Sequence, residues 1–125
     1  MIIGVGVDIV DIDRIRKIME RQKVRFMDRV FTQAEQKFCN RYRDSAPHFS
    51  ARFAAKEALF KALGTGWAKG VTWLDVEVRR EDSEPPVLIL HGEAEKWGMR
   101  LGAGRVHLSL SHSDQWAAAV VILEK

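Results

Sequence analysis

Between residues 2 and 10 the side chains alternate. Ile3, Val5, Val7 and Ile9 fall on one face, and Gly4, Gly6 and Asp8 on the other. A period of two built on β-branched residues predicts a strand. Its second face is nearly bare, so another group can approach the backbone closely there. The pattern then lengthens to a helical period. Ile12, Ile15, Ile18 and Met19 make a stripe behind Asp11 or Asp13 as cap, predicting a helix to about Gln22. A short basic segment follows with Val24, Phe26, Met27 and Val30 as its apolar set. Thr32 and Glu35 form a capping box that opens another helix to about Arg43. Behind Pro47, apolar positions from Phe49 to Leu63 predict the longest helix, about 48–63, with Gly64 as its C-cap.

The second half returns to a period of two. Leu74, Val76 and Val78 alternate with Asp75, Glu77 and Arg79, and a second strand spans Val87 to His91. Asp82-Ser83-Glu84-Pro85-Pro86 between them reads as a turn. A short helix runs from Glu93 to Leu101. Val106, Leu108 and Leu110 alternate with His107, Ser109 and Ser111, and Trp116 to Leu123 is a nearly continuous apolar strand. Strands near both ends with helices between them predict an α+β fold, a mainly antiparallel sheet packed with one long helix and several short ones. No repeat, low-complexity tract or linker interrupts the 125 residues, which fit a single domain over 1–125.

Composition narrows the picture. Hydrophobic residues at 46% and charged residues at 30% argue against intrinsic disorder. The lone Cys39 excludes an internal disulfide and any multi-cysteine zinc site. The apolar runs are too short for a membrane span, and the N-terminus lacks the basic and apolar regions of a secretory signal. A cytoplasmic protein is expected. Between Arg14 and Arg52 there are 11 Lys/Arg against 4 Asp/Glu, a local net of +7; the remainder carries 9 against 13, a net of −4. This asymmetry predicts an acidic partner without naming its class.

Three side chains stand out as chemistry. Glu57 and Lys61 share a helix face at i,i+4, where an exposed ion pair is the plain reading. Asp8 lies inside an apolar strand, where a carboxylate is costly unless paired or metal-bound. Asp8 and Glu57 with no His/Cys cluster suit Mg²⁺ rather than Zn²⁺, and Lys61 is placed to neutralise phosphate. His107, Ser109, Ser111 and Asp114 do not make a hydrolase triad, because neighbours on a strand point to opposite faces and no Gly-x-Ser-x-Gly elbow exists. His107, Ser109 and Ser111 instead share one face, either solvated or able to bind oxyanions. Neither Gly4-x-Gly6 nor Gly64-Thr65-Gly66 is a nucleotide fingerprint. Trp67, Trp73, Trp97 and Trp116 read as core or interface residues.

Gly4-Val-Gly6-Val-Asp8-Ile-Val, followed by Arg52-Phe-Ala-Ala-Lys56-Glu57-Ala-Leu-Phe-Lys61-Ala-Leu-Gly64-Thr65-Gly66, resembles the paired signature of the 4′-phosphopantetheinyl transferases, in their short bacterial type. Phe31-Thr32-x-x-Glu35, Gly92-x-Ala94 and His107-x-Ser109-x-Ser111-His112 extend the resemblance over the whole chain. It implies that family's fold. It also implies transfer of the 4′-phosphopantetheine arm of coenzyme A to a serine of an apo acyl carrier protein, with adenosine 3′,5′-bisphosphate as the other product, in support of fatty acid biosynthesis. By resemblance Asp8 and Glu57 hold Mg²⁺ and Lys61 contacts the transferred phosphate. By the same resemblance His107 contacts the phosphates or the 3′-phosphate side, and Arg52 with Gly64, Thr65 and Gly66 lines the nucleotide cleft. The base is Glu57 or a water held by the metal. Arg14, Lys17, Arg21, Lys23 and Arg25, with Met19 and Phe26 as apolar anchors, become a docking face for the acidic carrier protein. The resemblance further implies a homotrimer with sites between subunits, for which Ala117 to Leu123 is a candidate interface if it is not core. Trp67 and Glu84-Pro85-Pro86 depart from the pattern near the expected nucleotide.

A nucleic-acid-binding protein is the rival reading. It explains the basic stretch equally well but gives Asp8, Glu57 and the bare strand face no role. Phe26, Phe31, Phe38 and Tyr42 also sit at helical spacings, not as a stacking platform.

Overall fold

The computed structural model describes every residue except Trp67 and Asp82. The Trp67 departure and the first residue of the expected 82–86 turn therefore lie outside the described residues. Strand β1 (Ile2–Asp11) leads into three short helices, α1 (Ile12–Gln22), α2 (Val24–Val30) and α3 (Gln33–Cys39). The long helix α4 (Ala46–Leu63) follows. After a single 3-10 turn (Trp73–Asp75) come β2 (Val76–Arg79), β3 (Val87–Leu90), α5 (Gly92–Leu101), β4 (Arg105–His112) and β5 (Trp116–Glu124). The architecture is α+β and every strand pairing is antiparallel. Two sheets stand where one was expected: β1-β5-β4, and the separate hairpin β2-β3. Local alternation carries no information on which sheet a strand joins.

Helix α4 lies across the three-stranded sheet and is buried nearly all round. Its alanines keep the backbone slim, and β1 meets it with glycines. A Cβ on Gly6 would stand 1.8 Å from the Ala58 carbonyl oxygen, and one on Gly4 would stand 2.3 Å from that of Ala62. The bare face of β1 is thus bare for α4. The consequence reverses the usual polarity of a strand: Val5, Val7 and Ile9 point outward, each about 60% exposed. In β5 the apolar run divides by alternation. Ala117, Ala119, Val121 and Leu123 enter the core, while Trp116 and Val120 face out.

The helix ends differ slightly from expectation. Asp11 caps α1 by accepting the Asp13 amide. Thr32 and Glu35 form the capping box, but α3 stops at Cys39 rather than near Arg43, with Asn40 accepting the role of C-cap. Leu74 falls in the 3-10 turn, so β2 starts at Val76. Gly64 ends α4 in the left-handed conformation, φ 75°, which glycine adopts without steric cost.

Candidate active site

The tight seam between β1 and α4 brings three distant residues together. Lys61, on the last turn of α4, donates from Nζ to the Val7 carbonyl at 3.0 Å and to Asp8 Oδ1 at 2.9 Å. Its i,i+4 neighbour Glu57 is not its ion-pair partner; the pair forms across the seam instead. The Asp8 side chain is 17% exposed and that of Lys61 52%, so the pair itself is worth at most about 1 kcal/mol. Its weight is positional. Glu57 is half-buried one helical turn before Lys61, and no described residue donates a hydrogen bond to its carboxylate. Burial pushes its proton affinity up, the Asp8 carboxylate adds to this, and Lys61 opposes it.

Asp8, Glu57 and Lys61 form the polar end of a cleft of about 660 Å³. The opposite wall is apolar: Ile15 and Ile18 from α1, Phe26 and Val30 from α2, Phe53 from α4, and Trp73. Phe53 and Trp73 stack with ring centres 4.9 Å apart. Arg14, Gln22 and Arg29 stand on the rim, and Trp116 closes one side. Arg29 went unremarked in the sequence because it follows the basic run without a motif.

Of the other sequence candidates, Arg14 lines this cleft and the rest do not. Arg52 is 3% exposed; its guanidinium lies 4.4 Å from the Phe38 ring centre and donates to the His48 carbonyl at 3.2 Å. It sits one turn before Lys56, on a side of α4 that faces α3 rather than the sheet, and is buried against Phe38. His107 lies on β4, separated from β1 by β5, and its Nε2 meets Glu124 Oε1 at 3.0 Å. Gly64, Thr65 and Gly66 follow Lys61 directly, but their amides turn back to Lys61 and Phe60 carbonyls and close the helix end. Arg14, Lys17, Arg21, Lys23 and Arg25 are all exposed, and the first three share a shallow depression next to the cleft. Cys39 is fully buried and its thiol is pushed up to about 12, chiefly by that burial, so it is inert at neutral pH.

Lys56 is the residue that sequence reasoning passed over. It is completely buried and pairs with Glu35 at 2.8 Å. The capping box drew attention to Glu35, but its partner is remote in sequence and left no local signal.

Two carboxylates set against an ammonium at the mouth of an apolar cleft suit a transferase that handles a phosphate ester, where positioning and charge neutralisation carry the chemistry. The chain belongs to the 4′-phosphopantetheinyl transferase superfamily, whose model matches residues 4–121. It is 48% identical over 124 residues to the holo-[acyl-carrier-protein] synthase of Koribacter versatilis, covering 99% of each chain. Among solved structures, the holo-[acyl-carrier-protein] synthase of Neisseria meningitidis superposes with a TM-score of 0.90 at 31% identity, covering 100% of both chains. That of Bacillus anthracis, in complex with CoA (3′,5′-ADP), superposes with a TM-score of 0.80 at 39% identity, covering 98% of this chain and 96% of that one.

Proposed function

We propose that this protein transfers the 4′-phosphopantetheine group of coenzyme A to a serine of an apo acyl carrier protein, supplying fatty acid biosynthesis in the cytoplasm as one domain over 1–125. The observation that carries the reading is the meeting of Asp8, Glu57 and Lys61 at one end of the cleft, in a chain of this family. The serine oxygen attacks the phosphorus that bears the pantetheine arm. The bond to the bridging pyrophosphate oxygen breaks, and adenosine 3′,5′-bisphosphate leaves with that oxygen. Glu57, its proton affinity raised by burial, takes the serine proton directly or through one water. Lys61 holds Asp8 in place and faces the charge that develops on the phosphate.

The donor set fits a magnesium ion: the Asp8 and Glu57 carboxylates share one cleft, whose lining among the described residues carries oxygen donors and no His or Cys side chain. Asp8 and Glu57 would hold it, and it would neutralise the pyrophosphate when bound. Arg14 on the cleft rim, with Lys17, Arg21, Lys23 and Arg25 beside it, supports docking of an acidic carrier protein. The outward Val5, Val7, Ile9, Trp116 and Val120 form an apolar sheet face that supports assembly with further copies, as a homotrimer. Assembly of that kind offers a role to His107 and the Gly64–Gly66 turn toward a neighbouring copy's nucleotide. No helix among the described residues is long and apolar enough to cross a membrane.

The test is the intact mass of an apo acyl carrier protein after incubation with this protein, coenzyme A and Mg²⁺. The expected gain is about 340 Da, the mass of the transferred arm, and it disappears on adding a chelator. No gain from a folded sample with several carrier proteins overturns the reading.

A further inference from the structure

Helix α2 has seven residues, too few to hold its shape alone in water. Its Arg25 and Arg29 are exposed on the docking side of the molecule, while Phe26 and Val30 pack into the core and line the cleft. Beyond that packing, its C-terminal end is fixed by the buried ammonium of Lys56. Nζ donates to the Val30 carbonyl, the last of α2, at 2.6 Å, to Glu35 Oε1 at 2.8 Å, and to the Trp73 carbonyl at 3.1 Å. All three of its protons are used. Glu35, 1% exposed, accepts the Thr32 amide at the start of α3 and, through Oε2, the Val78 amide of β2.

The charges therefore sit where two helix ends need them. The ammonium lies at the negative C-terminus of α2, and the carboxylate at the positive N-terminus of α3. An apolar pair of equal volume would leave the Val30 carbonyl and the Val78 amide without the bonds they make here. Buried ion pairs are weak evidence for added stability, and specifying a unique arrangement is their better-attested use. Here the arrangement specified is that of the cleft wall, since Phe26, Val30 and Trp73 all line it.

We propose that Lys56, through Val30 and Glu35, is a positioning residue that sets the pose of α2 and so the recognition of the carrier protein, while leaving coenzyme A and metal binding untouched. This rests on the transferase reading above.

The test is Lys56→Met in the full chain, with steady-state kinetics for both substrates and amide hydrogen exchange. The expected result is a rise of about fivefold or more in KM for the carrier protein, an unchanged KM for coenzyme A, and faster exchange in residues 26–30 than in β1 and β5. Glu35→Gln keeps the bonds from Lys56 to Val30 and Trp73; it shows the same split more weakly and serves if Lys56→Met does not fold. Leu88→Ala, buried in the β2-β3 hairpin, is the control for lost stability and leaves both KM values alone. Equal changes in the two KM values, no change in either, or the same split in Leu88→Ala overturns the proposal. If the wild-type protein modifies no carrier, the transferase reading fails, and the exchange of α2 still judges Lys56 by itself.

Discussion

The seam between β1 and α4 and the layer of short helices α1 to α3 are held by different means. At the seam backbone meets backbone: Gly4 and Gly6 lie against the Ala62 and Ala58 carbonyls with no side chain between them. Nothing there can shift without a clash, and Asp8, Glu57 and Lys61 inherit that rigidity. The helical layer is held by side chains, through the Thr32 capping box and the Lys56–Glu35 pair. It also packs into the core through Ile15, Phe26 and Val30, and it carries much of the chain's basic stretch. On the transferase reading, chemistry sits on the tightly packed seam and docking on the helical layer.

That contrast can be broken or sharpened by substitution. The largest effect is expected at the seam's carboxylates. Asp8→Ala and Glu57→Ala should each lower turnover by roughly 10²–10⁴-fold, with thermal melting close to wild type; retained activity in either removes that residue from the chemistry. Gly6→Ala comes next. A Cβ 1.8 Å from a carbonyl oxygen forces β1 and α4 apart and should cost about 3 kcal/mol of stability, read as a lower denaturant midpoint. A melting curve like that of the wild type would mean the seam is not rigid. The smallest effect belongs to the helical layer. Arg14→Glu or Arg21→Glu should weaken carrier-protein binding by roughly 1 kcal/mol per site, more at low salt, and leave coenzyme A affinity nearly intact. Equal loss for both ligands would detach these residues from docking.

Much of this was legible from short-range pattern. Alternation marks β1, a helical period and Gly64 delimit α4, and the spacing of Glu57 and Lys61 puts them on one face. The capping box at Thr32 is likewise a local signal and forms as read. What failed to show in the sequence depends on contacts between distant segments. The glycine face of β1 reads as open until α4 is laid on it. Lys61 reads as the partner of Glu57 until the strand brings Asp8 within reach. Arg52 and His107 carry the right chemistry for phosphate, yet within one chain they lie away from the cleft, because helix rotation and strand order, not residue type, decide where a side chain points. Lys56 gave no local signal of its burial for the same reason.

The pairing of β1 with β5 also bears on how the protein comes into being. Asp8 lies opposite Ala119, and Ile2 opposite Glu124. The strand that carries Asp8 is made early and then waits, without its hydrogen-bonding neighbour, until residues 116–124 have been synthesised. Contacts of such long sequence separation close late and slowly. A nascent chain can form α4, but it has no β5 to pair β1 and complete the sheet that holds Asp8 beside Lys61. The three-stranded sheet behind Asp8 is therefore completed only once residues 116–124 have been made.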